Sequence, residues 1–290
     1  QILRRAGAAV HDQVGVGDAR VDFLDARNRQ DVAGGLAGEF VGAVAGANGD
    51  RQRVQLGGFD EHRGLFGVGE HLAVVELADR ADAVWTDPPY GVSYVGKTKD
   101  SLTIENDDLD GDGLLDLLRS VFALALTHTR GGAPWYVAAP AGPLMHAFNS
   151  TLLEVDVLRQ CLAWVKDQFV LGRSDYHYKH EPIFYGWSPG KAHTWLGGRT
   201  MTSVLEFERP RRNADHPTMK PVALIAHCLS NSTEPGSLVV DPFGGSGSTL
   251  IAAQTLGRRA ALIEIDPKYC DVIVRRWEKA TGRTAQRFTT

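Results

Sequence analysis

The chain has 290 residues, 43% of them hydrophobic and 23% charged, which is enough for one large or two small globular domains. No apolar run approaches the ~18 residues of a membrane-spanning helix, and no apolar segment follows the first basic residues, so we expect neither a membrane anchor nor a secretory signal. The cytoplasm is therefore the expected compartment. The formal net charge of −4 is compatible with a nucleic-acid partner, because a polyanion needs only one basic face.

The first 84 residues have an unusual composition: they lack Ser, Thr, Pro, Lys, Tyr, Trp, Cys and Met altogether. Turns in folded enzymes normally use Pro, Ser and Asn as well as Gly. Two interpretations are open: a weakly specified accessory domain, or a stretch whose reading frame or start site was wrongly assigned. We favour the second for residues 1–68, place no site residue there, and expect one catalytic domain over residues 69–290.

From residue 69 onward, apolar segments of strand length alternate with segments of helical periodicity. This alternation predicts a doubly wound, Rossmann-like α/β fold, in which a parallel sheet is covered by helices on both faces. Strands are predicted at residues 83–86, 133–138, 162–166, 182–187, 237–240 and 260–265. Helices are predicted at residues 113–127, 218–229 and 248–256.

The strand predicted at residues 83–86 runs directly into Asp87-Pro88-Pro89-Tyr90. Two prolines fix φ and remove two N–H donors, which leaves a stiff turn with carbonyl groups beside a carboxylate and an aromatic ring. Such a turn suits an exocyclic amino group, because Asp87 and the Pro88 carbonyl can accept its two hydrogens while Tyr90 stacks on a flipped base. A Pro-rich surface turn without chemistry is the alternative for this motif taken alone.

The strand predicted at residues 237–240 leads into a glycine-rich turn and then a helix. Glycines let the backbone approach a ligand closely and leave helix N-terminal N–H groups for its anionic part. Glu264 lies on the next strand, 20 positions after Gly244, where a doubly wound fold keeps an acid for ribose hydroxyls. A phosphate-binding loop is disfavoured, because no Gly-Lys-Ser/Thr follows the glycines. A nucleoside-cofactor site is therefore predicted from Asp241, Phe243, Gly244, Gly245, Ser246, Gly247, Ser248, Thr249 and Glu264.

A third motif, His216-Pro217-Thr218-Met219-Lys220-Pro221, opens the predicted helix that precedes the cofactor strand. Lys220 is expected in the first helical turn, where a cation is unfavourable against the helix dipole unless it meets an anion. The cofactor carboxylate is a candidate for that anion. The motif is weak alone, since proline at a helix start and an exposed lysine are both common.

In this order the three motifs resemble those of the β group of amino DNA methyltransferases, over residues 81 to about 276. The resemblance implies a circularly permuted motif order, with D-P-P-Y ahead of D-P-F-x-G-S-G, and S-adenosylmethionine as the cofactor. It implies methyl transfer to N6 of a flipped-out adenine in double-stranded DNA, as in restriction–modification systems. The implied catalytic residues are Asp87, Pro88, Pro89 and Tyr90, and the implied cofactor contacts are the glycine-rich turn, Glu264, His216, Thr218 and Lys220.

Three alternatives to this function stay open. N4-cytosine methylation by the same fold is the nearest, although family members with that activity usually carry Ser at the position of Asp87. A catalytically inactive DNA-binding module is the second. A nucleotide-dependent oxidoreductase is the third, and it would explain the glycines and Glu264 but not residues 87–90. A homodimer is an assembly that the sequence neither requires nor excludes.

Basic and aromatic residues are interleaved in the segment 188–215, where the resemblance places a target-recognition insert. Such residues suit phosphate contacts and groove insertion, and an arginine can bind guanine with two hydrogen bonds. A solvated loop is the alternative. The predicted DNA-contacting residues are Lys191, Arg199, Arg209, Arg211 and Arg212.

His177 and His180, with Glu181 beside them, raise the question of a zinc site. No second segment supplies further ligands, so no metal site is predicted. The two histidines lie close to Arg173 and Lys179 in the sequence and are expected at the rim of the substrate pocket. Three aromatic residues, Tyr176, Tyr178 and Trp187, are expected in the core, and the alternative is that one of them backs the flipped base.

Overall fold

The structure is a computed structural model that describes residues 21–25, 41–45, 55–56, 75–76, 80–91, 111–171, 175–209 and 219–288. Within these ranges, no helix combines the length and the apolarity needed to cross a membrane. Four residues with predicted site roles fall outside the described ranges, so their roles stay predictions: Arg211, Arg212, His216 and Thr218.

The described part of the chain contains twelve strands and five helices. The strands are β1 (Val21–Asp25), β2 (Val41–Ala45), β3 (Gln55–Leu56), β4 (Val75–Glu76), β5 (Ala83–Thr86), β6 (Pro134–Ala138), β7 (Leu158–Val165), β8 (His180–Trp187), β9 (Val204–Glu206), β10 (Leu238–Asp241), β11 (Arg259–Glu264) and β12 (Gln286–Phe288). The helices are α1 (Gly111–Thr127), α2 (Met145–Glu154), α3 (Val222–Ser232), α4 (Ser248–Thr255) and α5 (Pro267–Thr281). All the predicted strands and helices are present, and none of their ends differs from the prediction by more than about one helical turn.

The main sheet has the strand order β12-β1-β2-β11-β10-β5-β6-β8-β7-β9. At its centre β11, β10, β5 and β6 are parallel neighbours, as predicted for a doubly wound fold. The prediction of a wholly parallel sheet is wrong at its sides, because β8 is antiparallel to β6 and β7 is antiparallel to β8. The described residues between β7 and β8 contain no crossover helix, and two strands joined by a hairpin must run in opposite directions.

The compositionally biased N-terminal segment contributes two strands to the same sheet. β2 pairs antiparallel with β11, and β1 pairs antiparallel with β2. The structure therefore gives part of this segment backbone partners in the sheet. The predicted domain boundary at residue 69 stays a prediction.

Helices cover both faces of the central strands. Successive side chains of β5 point to opposite faces, as the period of two along a strand requires. Val84 packs on one face in a buried cluster with residues of α1 and α2, among them Phe148. Ala83 and Trp85 pack on the other face, in a buried cluster with Leu224 of α3. Open α/β sheets bind ligands at the carboxyl ends of their strands, so a ligand site is expected at that edge of this sheet.

Helix α3 begins later than predicted, at Val222, with Pro221 as its N-cap. Lys220 therefore precedes the helix, and the prediction that it occupies the first helical turn is wrong. The physical reason is local: a proline disfavours helical backbone in the residue before it, so Lys220 is excluded from the helix by its neighbour.

Candidate active site

The carboxyl ends of β5 and β10 lie side by side, because the two strands are parallel neighbours. Asp241, the last residue of β10, links both strand ends to helix α4. Its carboxylate accepts hydrogen bonds from the Thr86 hydroxyl at 2.9 Å, the Phe243 N–H at 3.1 Å and the Thr249 hydroxyl at 2.6 Å. Asp241 is buried, and these contacts supply the partners that a buried carboxylate needs. Asp241 therefore joins the glycine-rich motif to the residue that directly precedes the Asp87–Tyr90 turn, while a contact of Asp241 with the cofactor stays a prediction.

The turn between β10 and α4 depends on glycines with left-handed backbone. Gly245 has φ of 51° and Gly247 has φ of 77°. The Gly247 N–H donates to the Gly244 carbonyl at 2.8 Å, which closes the turn immediately before α4. A Cβ on Gly247 would lie 3.1 Å from the Ile273 side chain of α5, a tight contact, and the left-handed backbone conformation itself strains any other residue there. The turn presents the N-terminal N–H groups of α4 at the carboxyl edge of the sheet, where they suit an anionic or polar ligand group.

Glu264, the last residue of β11, faces this turn. Its carboxylate accepts hydrogen bonds from the Gly245 N–H at 2.6 Å and the Asp266 N–H at 2.9 Å. Burial raises the pKa of Glu264 to about 7, although both hydrogen bonds favour the charged form. The carboxyl group thus changes charge near neutral pH and lies against the glycine-rich turn. Its binding to ribose stays a prediction.

Lys220 holds the Asp87 carboxylate at the end of β5. Lys220 Nζ donates to Oδ1 of Asp87 at 2.7 Å, to Oδ2 at 2.6 Å and to the Tyr90 hydroxyl oxygen at 3.0 Å. Lys220 is buried, so this ion pair is shielded from bulk water. The sequence connected Lys220 with the cofactor, whereas the structure brings it to the Asp-Pro-Pro-Tyr turn. A contact with the cofactor carboxylate stays a prediction.

The Tyr90 ring is fixed from several directions. It packs edge-on against Phe148 of α2, with ring centroids 6.0 Å apart, and Lys220 Nζ lies 5.1 Å from the Tyr90 centroid. The Tyr90 hydroxyl donates to Oε2 of Glu181 at 3.3 Å. Burial and the nearby carboxylates of Asp87 and Glu181 raise the pKa of Tyr90 well above its usual value, so the hydroxyl stays protonated.

Asp87, Tyr90 and Lys220 form a polar cluster with two further charged residues, Glu181 and Lys166. The sequence did not assign these two residues to the catalytic turn. Glu181 Oε2 lies 3.2 Å from Lys220 Nζ, and Lys166 Nζ donates to Glu181 Oε1. Glu181 lies near the start of β8, and Lys166 directly follows β7. Because β8 is antiparallel to β6, the start of β8 and the end of β7 both lie at the edge where β5 ends. The sequence shows two opposite charges flanking a hairpin, but only the strand directions reveal which edge they reach.

The charges of the cluster alternate in sign, in the order Lys166, Glu181, Lys220 and Asp87. Burial alone would raise the pKa of Glu181, but Lys220 and Lys166 lower it to about 2. Burial would lower the pKa of Lys220, but Asp87 and Glu181 raise it. Burial raises the pKa of Asp87, and Lys220 opposes that rise. At neutral pH one ammonium group is therefore shared between two carboxyl groups.

The predicted DNA-contacting residues that the structure describes lie at different edges of the sheet. Arg209 follows β9, and its N–H donates to the Asp167 side chain at 2.9 Å, just beyond the end of β7. Lys191 follows β8 at the opposite edge, since β8 is antiparallel to β6. Arg199, like these two residues, is exposed. The structure therefore brings Arg209, but not Lys191, to the edge that carries Asp87.

The connection between β7 and β8 carries exposed aromatic side chains. Tyr176 is 90% exposed and Tyr178 is 43% exposed, so the prediction that they lie in the core is wrong. A connection that extends past the edge of a sheet has no layer to pack against, which explains their exposure. His177 stacks on Phe169, with ring centroids 5.3 Å apart. In the described ranges no group of three or more His, Cys, Asp or Glu side chains is arranged to hold a metal ion.

Comparison with known proteins identifies several relatives. DNA adenine methyltransferase YhdJ from Escherichia coli (strain K12) is 25% identical over 255 residues, which cover 75% of this chain and 84% of YhdJ. Type II methyltransferase M.XycI from Xanthomonas campestris pv. cyanopsidis is 37% identical over 92 residues, which cover 31% of this chain and 31% of M.XycI.

Solved methyltransferase structures share the fold. The M1.HpyAVI–SAM complex has a TM-score of 0.53 and 21% identity, over 69% of this chain and 89% of that chain. The PvuII DNA methyltransferase, described as cytosine-N4-specific, has a TM-score of 0.54 and 16% identity, over 70% of this chain and 84% of that chain. The sheet is thus a Rossmann-like methyltransferase sheet. A family model for N6/N4 DNA methylases matches residues 81–275, more than half of the sequence, and the chain therefore belongs to the DNA methylase family.

Proposed function

We propose that this protein transfers a methyl group from S-adenosylmethionine to N6 of an adenine that is flipped out of double-stranded DNA. The observation that carries the proposal is the adjacency of the Asp87–Tyr90 turn and the glycine-rich turn at the ends of neighbouring parallel strands. Two adjacent sites at one edge suit a base and a nucleoside cofactor held in contact for reaction. The motif order along the chain supports placement in the β group.

The Asp87–Tyr90 turn is proposed to receive the target base. The Asp87 carboxylate and the Pro88 carbonyl would accept the two amino hydrogens, which keeps the nitrogen lone pair available for attack. The Tyr90 ring would stack on the base and contribute ~1–3 kcal/mol, which offsets part of the unstacking cost of base flipping. Positioning of the amino group is then the main catalytic contribution of the protein.

The glycine-rich turn and Glu264 fit S-adenosylmethionine. The turn offers backbone N–H groups, and Gly245 and Gly247 have no side chain that would obstruct a ligand. The ionised Glu264 carboxylate beside the turn can accept hydrogen bonds from ribose hydroxyls. When bound, S-adenosylmethionine would supply an electrophilic methyl group and leave as S-adenosylhomocysteine, and the methylated amino nitrogen would release one proton to solvent. Solved structures with this fold are described as complexes with it: M1.HpyAVI and TTHA0409 from Thermus thermophilus, the latter with a TM-score of 0.51 and 21% identity over 73% of this chain and 92% of that chain.

Adenine is favoured over cytosine on two grounds. Position 87 carries Asp rather than Ser, and YhdJ, which aligns over most of the chain, is described as a DNA adenine methyltransferase. N4 of cytosine is the second candidate, because the PvuII enzyme shares the fold and cytosine offers an equivalent amino group. DNA in the cytoplasm would be the substrate, and Arg209, which is exposed at the edge that carries Asp87, is a candidate to contact it.

The test is incubation of the protein with unmethylated duplex DNA and methyl-labelled S-adenosylmethionine, followed by mass spectrometry of the digested nucleosides. The proposal predicts label in N6-methyladenine. Label only in N4-methylcytosine would refute the adenine assignment and leave the fold and cofactor intact. Cofactor binding without transfer to any base would instead indicate an inactive DNA-binding module.

A further inference from the structure

The Glu181 carboxylate connects the β7–β8 hairpin to the proposed catalytic turn. Its Oε1 accepts from Lys166, while its Oε2 lies 3.2 Å from Lys220 Nζ and accepts from the Tyr90 hydroxyl at 3.3 Å. Its side chain is only 19% exposed, so these contacts are shielded from water. A carboxylate with a charge-assisted bond on each oxygen has a fixed orientation. Neither Glu181 nor Lys166 belongs to the motifs from which the reaction was proposed.

We propose that Glu181 is a positioning residue: it holds the Lys220 ammonium group and the Tyr90 hydroxyl, and through them it sets the direction in which the Asp87 carboxylate and the Tyr90 ring meet the target base. This inference rests on the proposed methyl transfer. Glu181 acts through its neighbours and does not itself touch the base.

Lys220 alone would not fix Asp87, because an ammonium group is a compact charge with rotatable donors on a flexible stem. In the structure Lys220 has Asp87 and Tyr90 as partners and Glu181 as a further anchor. Glu181 is itself anchored by Lys166, which is buried, so the anchor cannot readily move into water. Reacting groups displaced by about 1 Å can lose ~100-fold in rate, so a small shift of Lys220 is sufficient to slow transfer.

The test compares Glu181→Gln and Glu181→Asp with the wild-type protein, by kcat and KM for duplex DNA across pH and by the Kd of S-adenosylmethionine. Glu181→Gln should lower kcat by ~10- to 100-fold with a much smaller change in cofactor Kd, because the main candidates to bind the cofactor, the glycine-rich turn and Glu264, lie on β10, α4 and β11. Glu181→Asp should recover part of the rate. Exposed Glu154, which pairs with Arg119 on the surface at 2.8 Å, supplies the control: Glu154→Gln removes the same charge and should leave kcat unchanged.

The pH profile gives a readout that a merely structural role would not move. The charged and titratable groups around Asp87 are Lys220, Tyr90, Glu181 and, one strand away, Asp241. Glu181 raises the pKa of Asp87, so its neutralisation should shift the acid limb of kcat to lower pH. An unshifted limb with an unchanged rate overturns the proposal.

In Glu181→Gln the buried Lys166 ammonium group loses its carboxylate partner. An unpaired buried charge can by itself lower the free energy of unfolding. The double variant Glu181→Gln/Lys166→Gln removes both charges and separates the two effects. A double variant that unfolds like the wild type and remains slow supports the positioning role. A double variant at the wild-type rate shows that Glu181 only neutralises Lys166, which overturns it. If the wild-type protein transfers no methyl group to DNA, the proposed function fails first, so the two failures are distinguishable.

Discussion

Two effects act in opposite directions on the pKa of the Asp87 carboxyl group. Burial raises its pKa, and the Lys220 ammonium group, bonded to both oxygens, lowers it. The ionised form is the one that accepts amino hydrogens, so Lys220 supports the proposed reaction by stabilising the charge. The same bonds fix the carboxylate in one orientation at the end of β5.

Asp87→Ala should lower methyl transfer by ~100-fold or more, because the variant lacks the main acceptor for the target amino group. Binding of S-adenosylmethionine, measured by calorimetry, should persist, since the carboxylate serves the base. Asp271→Ala on the exposed side of α5 is the matched control and should transfer label normally. Transfer near the wild-type rate in Asp87→Ala would remove Asp87 from the catalytic assignment.

The pKa of about 7 at Glu264 predicts a pH-dependent cofactor affinity. Ribose hydroxyls are best bound by the ionised carboxylate, so affinity should be constant well above pH 7 and fall by about tenfold for each pH unit below it. Binding near pH 7 should release a fraction of a proton, which calorimetry in buffers of different ionisation enthalpy detects.

Glu264→Gln should bind S-adenosylmethionine weakly and without this pH dependence. The control Glu234→Gln, at an exposed position, should keep it. Flat affinity in the wild-type protein between pH 5.5 and 8 would be incompatible with the ribose assignment.

At the scale of the elements, Asp241 holds β5, β10 and α4 together. Its hydrogen bonds with Thr86 and Thr249 fix the end of β5 and the start of α4 relative to the end of β10. Asp241 therefore stabilises the fold and also holds the Asp87–Tyr90 turn beside the glycine-rich turn. Loss of one hydroxyl would leave a buried carboxylate with a missing partner, which is more costly than the loss of an exposed hydrogen bond.

Thr249→Val should therefore lower the free energy of unfolding by ~1–3 kcal/mol. Thr255→Val is a control in the same helix: its hydroxyl donates to the Ile251 carbonyl at the exposed surface, and its loss should cost less than ~0.5 kcal/mol. Urea denaturation measures both values. Equal losses in the two variants would mean that the Asp241 link does not stabilise the fold.

The sequence predicted the elements better than their directions. The buried strand at residues 83–86 and the glycine-rich turn follow from local apolar and turn patterns, and the structure has both. Helix α5 was not predicted, although it has local signals: Asp266 accepts from the Lys268 N–H at its start and Pro267 is its first residue. The antiparallel direction of β8 depends on long-range pairing, which local periodicity does not encode. That direction is what brings Glu181 to Asp87, so Glu181 could not be assigned to the catalytic turn from the sequence.

At the scale of the whole molecule, the family match begins at residue 81, close to the end of the compositionally biased segment. The described catalytic and cofactor candidates lie between residues 87 and 264, on the far side of that boundary. Strands β1 and β2 nonetheless pair with the sheet beside β11, so this segment has a place in the architecture. We propose that residues 1–68 contribute little to the chemistry itself.

The proposed activity of the carboxyl edge of this sheet is the methylation of adenine in DNA. Its most direct test is base-resolution detection of methylated bases in genomic DNA from a methylation-deficient host that expresses the full chain, with the Asp87→Ala variant in parallel. We expect N6-methyladenine at a specific DNA sequence in cells with the wild-type chain and none in cells with Asp87→Ala. Genomic DNA without any new methylated base, from cells that contain the folded protein, would contradict it.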